Sequence, residues 1–513
     1  MTAGSGSFPP GFRVVVDADV RRFHEDQVML GGSPMRLVRL SRTGAAVLGS
    51  LTHGGSIPED PEGQRLVRRL LQIGMLHPRP AGRAMTAADV TVVVPVRDQP
   101  QQLARLLEGF TSQGLGGVVV VDDGSCPAVC CHRDVATALG HLSGSGTAAE
   151  TVRSERPGGP AAARMTGIGR APTALVAFVD ADVLTTPGWL DALLVHFDDP
   201  EVAATAPRVL ASKARGGALA RYEQHRSPLD LGSREARVHP RGTVPYVPTA
   251  AIVVRRTALD AIGGFDESLQ VGEDVDLVWR LDEAGLTVRY VPGSIVHHDV
   301  RPGVASWVKQ RYRYGTSAAP LDARHRGALA PLVMSGWSLS VWVLAGLGMP
   351  RTAAGLAGIT TAALVPQLRA LPRPEREALR LAGRGHLRAG GFAADAVRRS
   401  WWPAAVVVAI ASRRVRRAVI AAFVVPPLWQ WATRQPRGID PVRWSALWWA
   451  DDLAYGAGVW VGCLRHHRLG PLVPDLVGWS PKHPRRRLPS SRTGKVRSTR
   501  VDTLDQPGGS RLT

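Results

Sequence analysis

A chain of 513 residues has room for about three structural units at roughly 150 residues each. Its 44% apolar and 21% charged residues exclude a wholly disordered or collagen-like polymer. The net charge of +20 is almost all arginine, and no aromatic residues interleave with the basic block at 481–500 to stack bases, so no nucleic-acid partner is expected.

The four cysteines, Cys126, Cys130, Cys131 and Cys463, are too few and too clustered for a disulfide framework, and their spacing fits no closed zinc pattern. They read as free thiols in a reducing compartment. Charged residues break every apolar run in the first thirty positions, so no cleaved leader is expected.

Residues 12–79 read as a small module. FRVVV, QVML and MRLVRL form short strands, a Gly-Gly pair at 31–32 turns the chain, and helices follow near 42–53 and 62–75. Residues 77–89, rich in proline and small side chains, read as a linker. From 90 to 315 apolar strands alternate with helices. VTVVVPV, VVVVDD and ALVAFVDAD are continuous runs of the kind found in parallel sheets covered on both faces, which predicts an α/β fold binding ligands at the carboxyl ends of its strands.

Beyond 327 the composition turns apolar and arginine-rich. Residues 327–348 carry no formal charge over 22 positions, enough to span a bilayer core of about 30 Å as one helix. Residues 352–368 are a weaker second span, and 401–411 and 418–431 bracket Arg413, Arg414, Arg416 and Arg417. The region 327–470 therefore reads as helical and associated with a membrane, either crossing it or lying in its interface. A buried helical bundle is the alternative. Residues 481–500 hold eight Lys/Arg and no acid, so 481–513 reads as a disordered basic tail attracted to anionic lipid.

Four turns carry chemistry. The first strand ends at Pro95 and delivers Asp98 beyond it. In the second, Asp122 and Asp123 precede Gly124 and Ser125, where a carboxylate can bind a base or ribose; turn chemistry alone would also account for an isolated DDGS. In the third, Asp180 and Asp182 flank Ala181. Two acids leaving an apolar strand repel unless a cation lies between them and a ligand, and Mg²⁺ or Mn²⁺ on a diphosphate supplies one. A helix starting at Pro187 and capped by Thr185 or Thr186 is expected next. In the fourth, Glu273, Asp274 and Asp276 open an amphipathic helix that Gly285 stops, with Asp274 a candidate general base. His297 and His298 end the following strand, where an imidazole can be a further metal ligand.

Taken in order, PVRD at 95–98, DDGS at 122–125, DAD at 180–182, GGFDE at 263–267, EDVDLVWR at 273–280 and VHH at 296–298 resemble the family 2 glycosyltransferases of GT-A fold. The resemblance covers about 90–315. It implies inverting glycosyl transfer from a nucleotide sugar. Pro95, Asp98, Asp122, Asp123, Gly124, Ser125, Asp180 and Arg313 fall on the donor side. Asp180, Asp182 and His298 would hold Mg²⁺ or Mn²⁺, Asp274 would take the acceptor proton, and Trp189, Gly264, Glu273 and Asp276 would lie toward the acceptor. Gln310, Arg313 and Tyr314 resemble the Q-x-x-R-W of processive members, with Tyr in place of Trp.

The wider layout is similar to the glycosyltransferases of the mycofactocin system. There, residues 12–79, including LSRTGAAVLGSL at 40–51, resemble a PqqD-like winged-helix module that would contact a precursor peptide or maturation enzyme. The implied donor is UDP-glucose. The implied acceptor is the peptide-derived cofactor mycofactocin or its precursor, carrying a β-linked oligoglucoside, on the cytoplasmic face of the membrane. Competing readings are a nucleotide- and peptide-binding protein without transfer, and a nucleotidyltransferase, which also needs paired acids.

Overall fold

The computed structural model describes residues 7–80, 82, 84–212, 217–300 and 303–477. The expected tail at 481–513 lies outside them.

The first unit runs β1 (Arg13–Val16), β2 (Arg21–Phe23), β3 (Val28–Gly31), β4 (Arg36–Arg39), α1 (Arg42–Thr52), α2 (Pro61–Gln72) and β5 (Leu76–Arg79). Each helix has a side-chain cap: Ser41 accepts from Gly44 N–H, and Asp60 from Glu62 and Gly63. The expected linker starts later than its composition implied, because Leu76–Arg79 pairs antiparallel with β1. Pro78 is tolerated there because the sheet has only two strands, both of them edges. His77 bonds to Asp17 at 2.8 Å and helps fix the pair.

The second unit contains β6 (Val90–Val96), α3 (Pro100–Glu108), β7 (Gly117–Asp123), α4 (Arg133–Gly144), β8 (Ala149–Ser154), α5 (Pro160–Arg170), β9 (Leu175–Val179), β10 (Val183–Thr185), α6 (Asp191–Leu194), β11 (Val202–Ala211) and α7 (Ala218–Arg226). It continues with β12 (Ala236–Arg237), β13 (Ala251–Arg255), α8 (Arg256–Ile262), α9 (Glu273–Glu283) and β14 (Thr287–His298). The sheet order is β10-β14-β11-β13-β9-β6-β7-β8, with β12 beside β14. β8, β7, β6 and β9 are mutually parallel, and β13 enters antiparallel on both sides. β6, β7 and β9 are buried almost throughout, as their unbroken apolar runs require. This is the α/β GT-A arrangement, with the carboxyl ends of β6, β7 and β9 opening on one side.

The third unit comprises α10 (Val304–Thr316), α11 (Ala318–Arg324), β15 (Val333–Ser335), α12 (Gly336–Gly346), α13 (Pro350–Leu364), α14 (Pro374–Arg399), α15 (Trp402–Ala411), α16 (Arg413–Arg434), α17 (Pro441–Arg465) and β16 (Asp475–Val477). The single span expected at 327–348 does not form. Its first part pairs as β15 with β16, Ser335 caps an 11-residue α12, and Gly348 at φ +80° ends the segment before Pro350. The second candidate is α13, 15 residues long and stopped near Pro366. Among the described residues no helix is long and apolar enough to cross a membrane.

α17 crosses α10 at near backbone contact. A Cβ on Gly315 would lie 2.0 Å from the Tyr455 carbonyl oxygen, and one on Gly458 would lie 2.0 Å from that of Tyr312. Glycine is required at both positions, and α17 is thereby held directly against α10, the helix that follows β14.

Candidate active site

The exits of β6 and β7 are stitched together by short polar bonds. Asp98 N–H donates to Ser125 Oγ, and Cys126 N–H donates to Asp98 Oδ1. Asp98 holds φ +54° and its side chain is 57% exposed, so the rest of its carboxylate faces outward. Asp123 accepts from Gly158 and Gly159 N–H at 2.7 and 2.9 Å, at the start of α5. Gly124, at φ +75°, turns the chain against Pro157. Pro95 lies in β6 opposite Val121.

Asp122 departs from the donor-side expectation. It is buried, and its oxygens accept from Ser125 N–H, Val129 N–H and Arg153, so it holds the loop in shape.

Beyond β9, Asp180 and Asp182 reach one cleft of about 980 Å³ together with Glu273, Asp274 and His298. The β10–β14 register sets His298 opposite Val183 and His297 opposite Leu184. Strand alternation therefore separates the two imidazoles, and His298 Nε2 is the one 3.2 Å from Asp182 Oδ1. Gly272 at φ +86° starts α9 and brings its acidic first turn to the same cleft.

Sequence reasoning missed Arg164. This buried guanidinium on α5 donates to Asp180 Oδ1 and Glu273 Oε1, each at 2.7 Å, and ties the D-x-D to the head of α9. The available signal was an arginine inside the small-residue helix PAAARMTGIG. Glu273 is consequently engaged with Arg164, while the neighbouring Asp274 accepts, among the described residues, from its own helix start, Val275 N–H, at 2.8 Å. Burial, then the negative charge of Glu273, raise the Asp274 carboxyl to about 7. Burial likewise raises Asp180, with Asp182 adding to the effect against Arg164.

Three residues expected toward the acceptor do not line the cleft. Asp276 is fully buried and bonded to Arg280, Arg324 and His325; although burial alone would raise it, these partners hold it at about 2. Trp189 is core, 1% exposed, with its indole N–H on Gln113. Gly264, at φ +68°, lets the backbone pass Met165 and gives its carbonyl to Arg280. The expected helix start near Pro187 is also displaced. Gly188 sits at φ +73°, the helix begins at Asp191, and Thr186 donates its hydroxyl to Ile295 O instead of capping.

Arg313 and Tyr314 of α10 line the cleft with Gln310, whose amide donates to the Tyr314 hydroxyl at 2.9 Å. The far wall was not anticipated. It is made by Asp395 and Arg399 of α14 and by Asp451 and Tyr455 of α17.

The chain matches the model described as glycosyl transferase family group 2 over residues 175–370. A pre-mycofactocin glycosyltransferase of Mycobacterium tuberculosis is 41% identical over 483 residues, covering 91% of this chain and 98% of the relative. The chain belongs to the mycofactocin-system family 2 glycosyltransferases. It is thus a glycosyltransferase, and the readings as a binding protein and as a nucleotidyltransferase fall away. Glycosyltransferase AglE of Haloferax volcanii is 26% identical over 50% of this chain and 80% of its own length. The mannosyltransferase PcManGT from Pyrobaculum calidifontis, solved with GDP-Man and Mn²⁺, is 19% identical over 61% of this chain and 87% of its own, with a TM-score of 0.36.

Proposed function

We propose that this member of the family transfers glucose from UDP-glucose to a mycofactocin precursor with inversion at the anomeric carbon, building a β-linked oligoglucoside. The observation that carries the reading is the placement of Asp274, an acid raised to about 7, in the cleft shared by Asp182 and His298. A base with that affinity for protons is matched to neutral operation.

Among the described residues no cluster of three His, Cys, Asp or Glu side chains has metal-holding geometry. Asp182 and His298 nevertheless fit Mg²⁺ or Mn²⁺, since such ions take one or two protein ligands and complete their shell with water and substrate phosphate. A divalent ion held there would stabilise the diphosphate leaving group. Asp180, anchored by Arg164, supports Asp182 from the strand end. In this reading Asp98 and Asp123 receive the nucleoside, Arg313 meets the diphosphate, and Asp274 accepts the proton of the attacking hydroxyl.

Residues 12–79 would act as the PqqD-like contact for the precursor peptide or a maturation enzyme. One face of β3 and β4 packs on Leu368, Leu371 and Leu381, and Arg21 pairs with Glu377, so the peptide must use another face. Work at a membrane surface, on its cytoplasmic side, is part of the same proposal.

The test combines the full chain, UDP-glucose, a divalent metal and the precursor. The expected products are free UDP and a β-glucoside, read by anomeric proton coupling. An α-linked product overturns inversion, and turnover that survives chelation overturns the metal.

A further inference from the structure

Four helices of the third unit, α12, α13, α15 and α16, lie in the segments 323–374 and 396–439, which contain no Asp or Glu. Their cationic groups include the exposed Arg351, Arg413, Arg414, Arg416 and Arg417. The same helices expose large apolar side chains to a degree unusual for a folded protein. Val407 and Ile410 of α15 are 66% and 76% exposed, and Trp429 of α16 is 70% exposed.

The two kinds of residue share one stripe. On α16, Arg413, Arg416 or Arg417, Ile420, Val424 and Leu428 recur at three- to four-residue spacing and so follow one another along a single helix face. α15 packs along α16, and the Arg-rich start of α16 meets the end of α12, where Arg414 lies 3.8 Å from a Cβ built on Gly348. α12 contributes exposed Trp337, Val343 and Leu347. α15, at 10 residues, extends only about 15 Å, half a bilayer core.

We propose that α12, α15 and α16 form a monotopic docking face for an anionic phospholipid surface. The apolar stripe lies at the boundary of headgroup and acyl chain, and the Arg413–Arg417 cluster reaches the phosphates at one end. This deepens the membrane placement proposed above by naming the face and the lipid chemistry. Charge complementarity selects this occupant: a second copy of the chain would set arginine cluster near arginine cluster with no carboxylate on these helices to neutralise it. Long arginine stems let guanidinium and apolar neighbours serve one interface. None of these residues lines the catalytic cleft.

The test is sedimentation of the full chain with vesicles of phosphatidylcholine alone or mixed with phosphatidylglycerol. Two surface variants accompany it, R413Q/R414Q/R416Q/R417Q and V407S/I410S/W429S, each checked for retained UDP-glucose turnover on soluble acceptor. The wild type binds the anionic vesicles, and added salt weakens binding. Removing the arginines lowers affinity about fivefold per charge, and the apolar variant binds weakly to both vesicle types. If the wild type binds and both variants bind equally well, the membrane reading stands and this face is wrong. If the wild type binds neither vesicle, both are wrong. A wild type that ignores vesicles but self-associates in light scattering, and becomes monomeric as V407S/I410S/W429S, assigns the face to a second copy and overturns the lipid proposal.

Discussion

Asp274→Asn keeps the shape of the side chain and removes its ability to take a proton, so catalysis and stability should move in opposite directions. Loss of a positioned general base costs about 10²–10⁴-fold in transfer, or about 3–5 kcal/mol of barrier. Stability follows from the carboxyl's rise from 3.8 to about 7. Between those values the folded chain holds a proton that the unfolded chain has released, so the wild type loses stability as pH rises across the window. At 1.36 kcal/mol per tenfold change in proton affinity, the cost reaches at most about 4 kcal/mol above pH 7. The Asn variant escapes it. Urea unfolding across the window should show the variant's advantage growing with pH and levelling off near 7, while transfer kinetics show the loss of turnover. An unchanged turnover refutes the base assignment. A variant less stable than wild type at pH 8 refutes the account of Asp274 as a carboxylate ionised at a cost to folding.

Arg164→Met leaves Asp180 and Glu273 in a buried site without their shared cation, and should lower unfolding free energy by about 3–5 kcal/mol, with part of the loss restored by adding Glu273→Gln. Asp276, held at about 2, contributes stability that is complete above 3.8 and lost as pH falls toward 2. Asp276→Ala should cost about 3–5 kcal/mol at neutral pH, flatten that acid limb in urea titrations, and leave any surviving folded fraction with normal donor KM. Gly458→Val drives a side chain into the Tyr312 carbonyl beside Arg313, so transfer, measured by steady-state kinetics, should fall at least about tenfold, with UDP binding, measured calorimetrically, weakened as α10 shifts.

What could be read from the sequence followed strictly local physics. Valine runs ending in acids can only be buried strands that open a polar site, so β6, β7 and β9 and their terminal aspartates were legible. The acidic first turn of α9 was legible too, but its division of labour was not. Glu273 and Asp276 are consumed by Arg164, Arg280, Arg324 and His325, partners 4 to 109 residues away in sequence. Trp189 looked like an acceptor contact because an aromatic after a D-x-D has no pattern to mark it as core. The uncharged run at 327–348 satisfied the length of a span, but Pro331 and the β15–β16 pairing divide it and Gly348 ends it, and of these the pairing alone depends on residues 142 positions on. The α14 and α17 wall of the cleft arises from the glycine crossing of α10, a tertiary event with no local periodicity.

That crossing makes the two halves of the enzyme inseparable for engineering. Exchanging everything beyond residue 327 between relatives would join the α/β side of the cleft to a foreign far wall through an interface where two backbones touch and no side chain can adjust. Reshaping that wall therefore calls for substitutions at Asp395, Arg399, Asp451 or Tyr455, with Gly315 and Gly458 held constant.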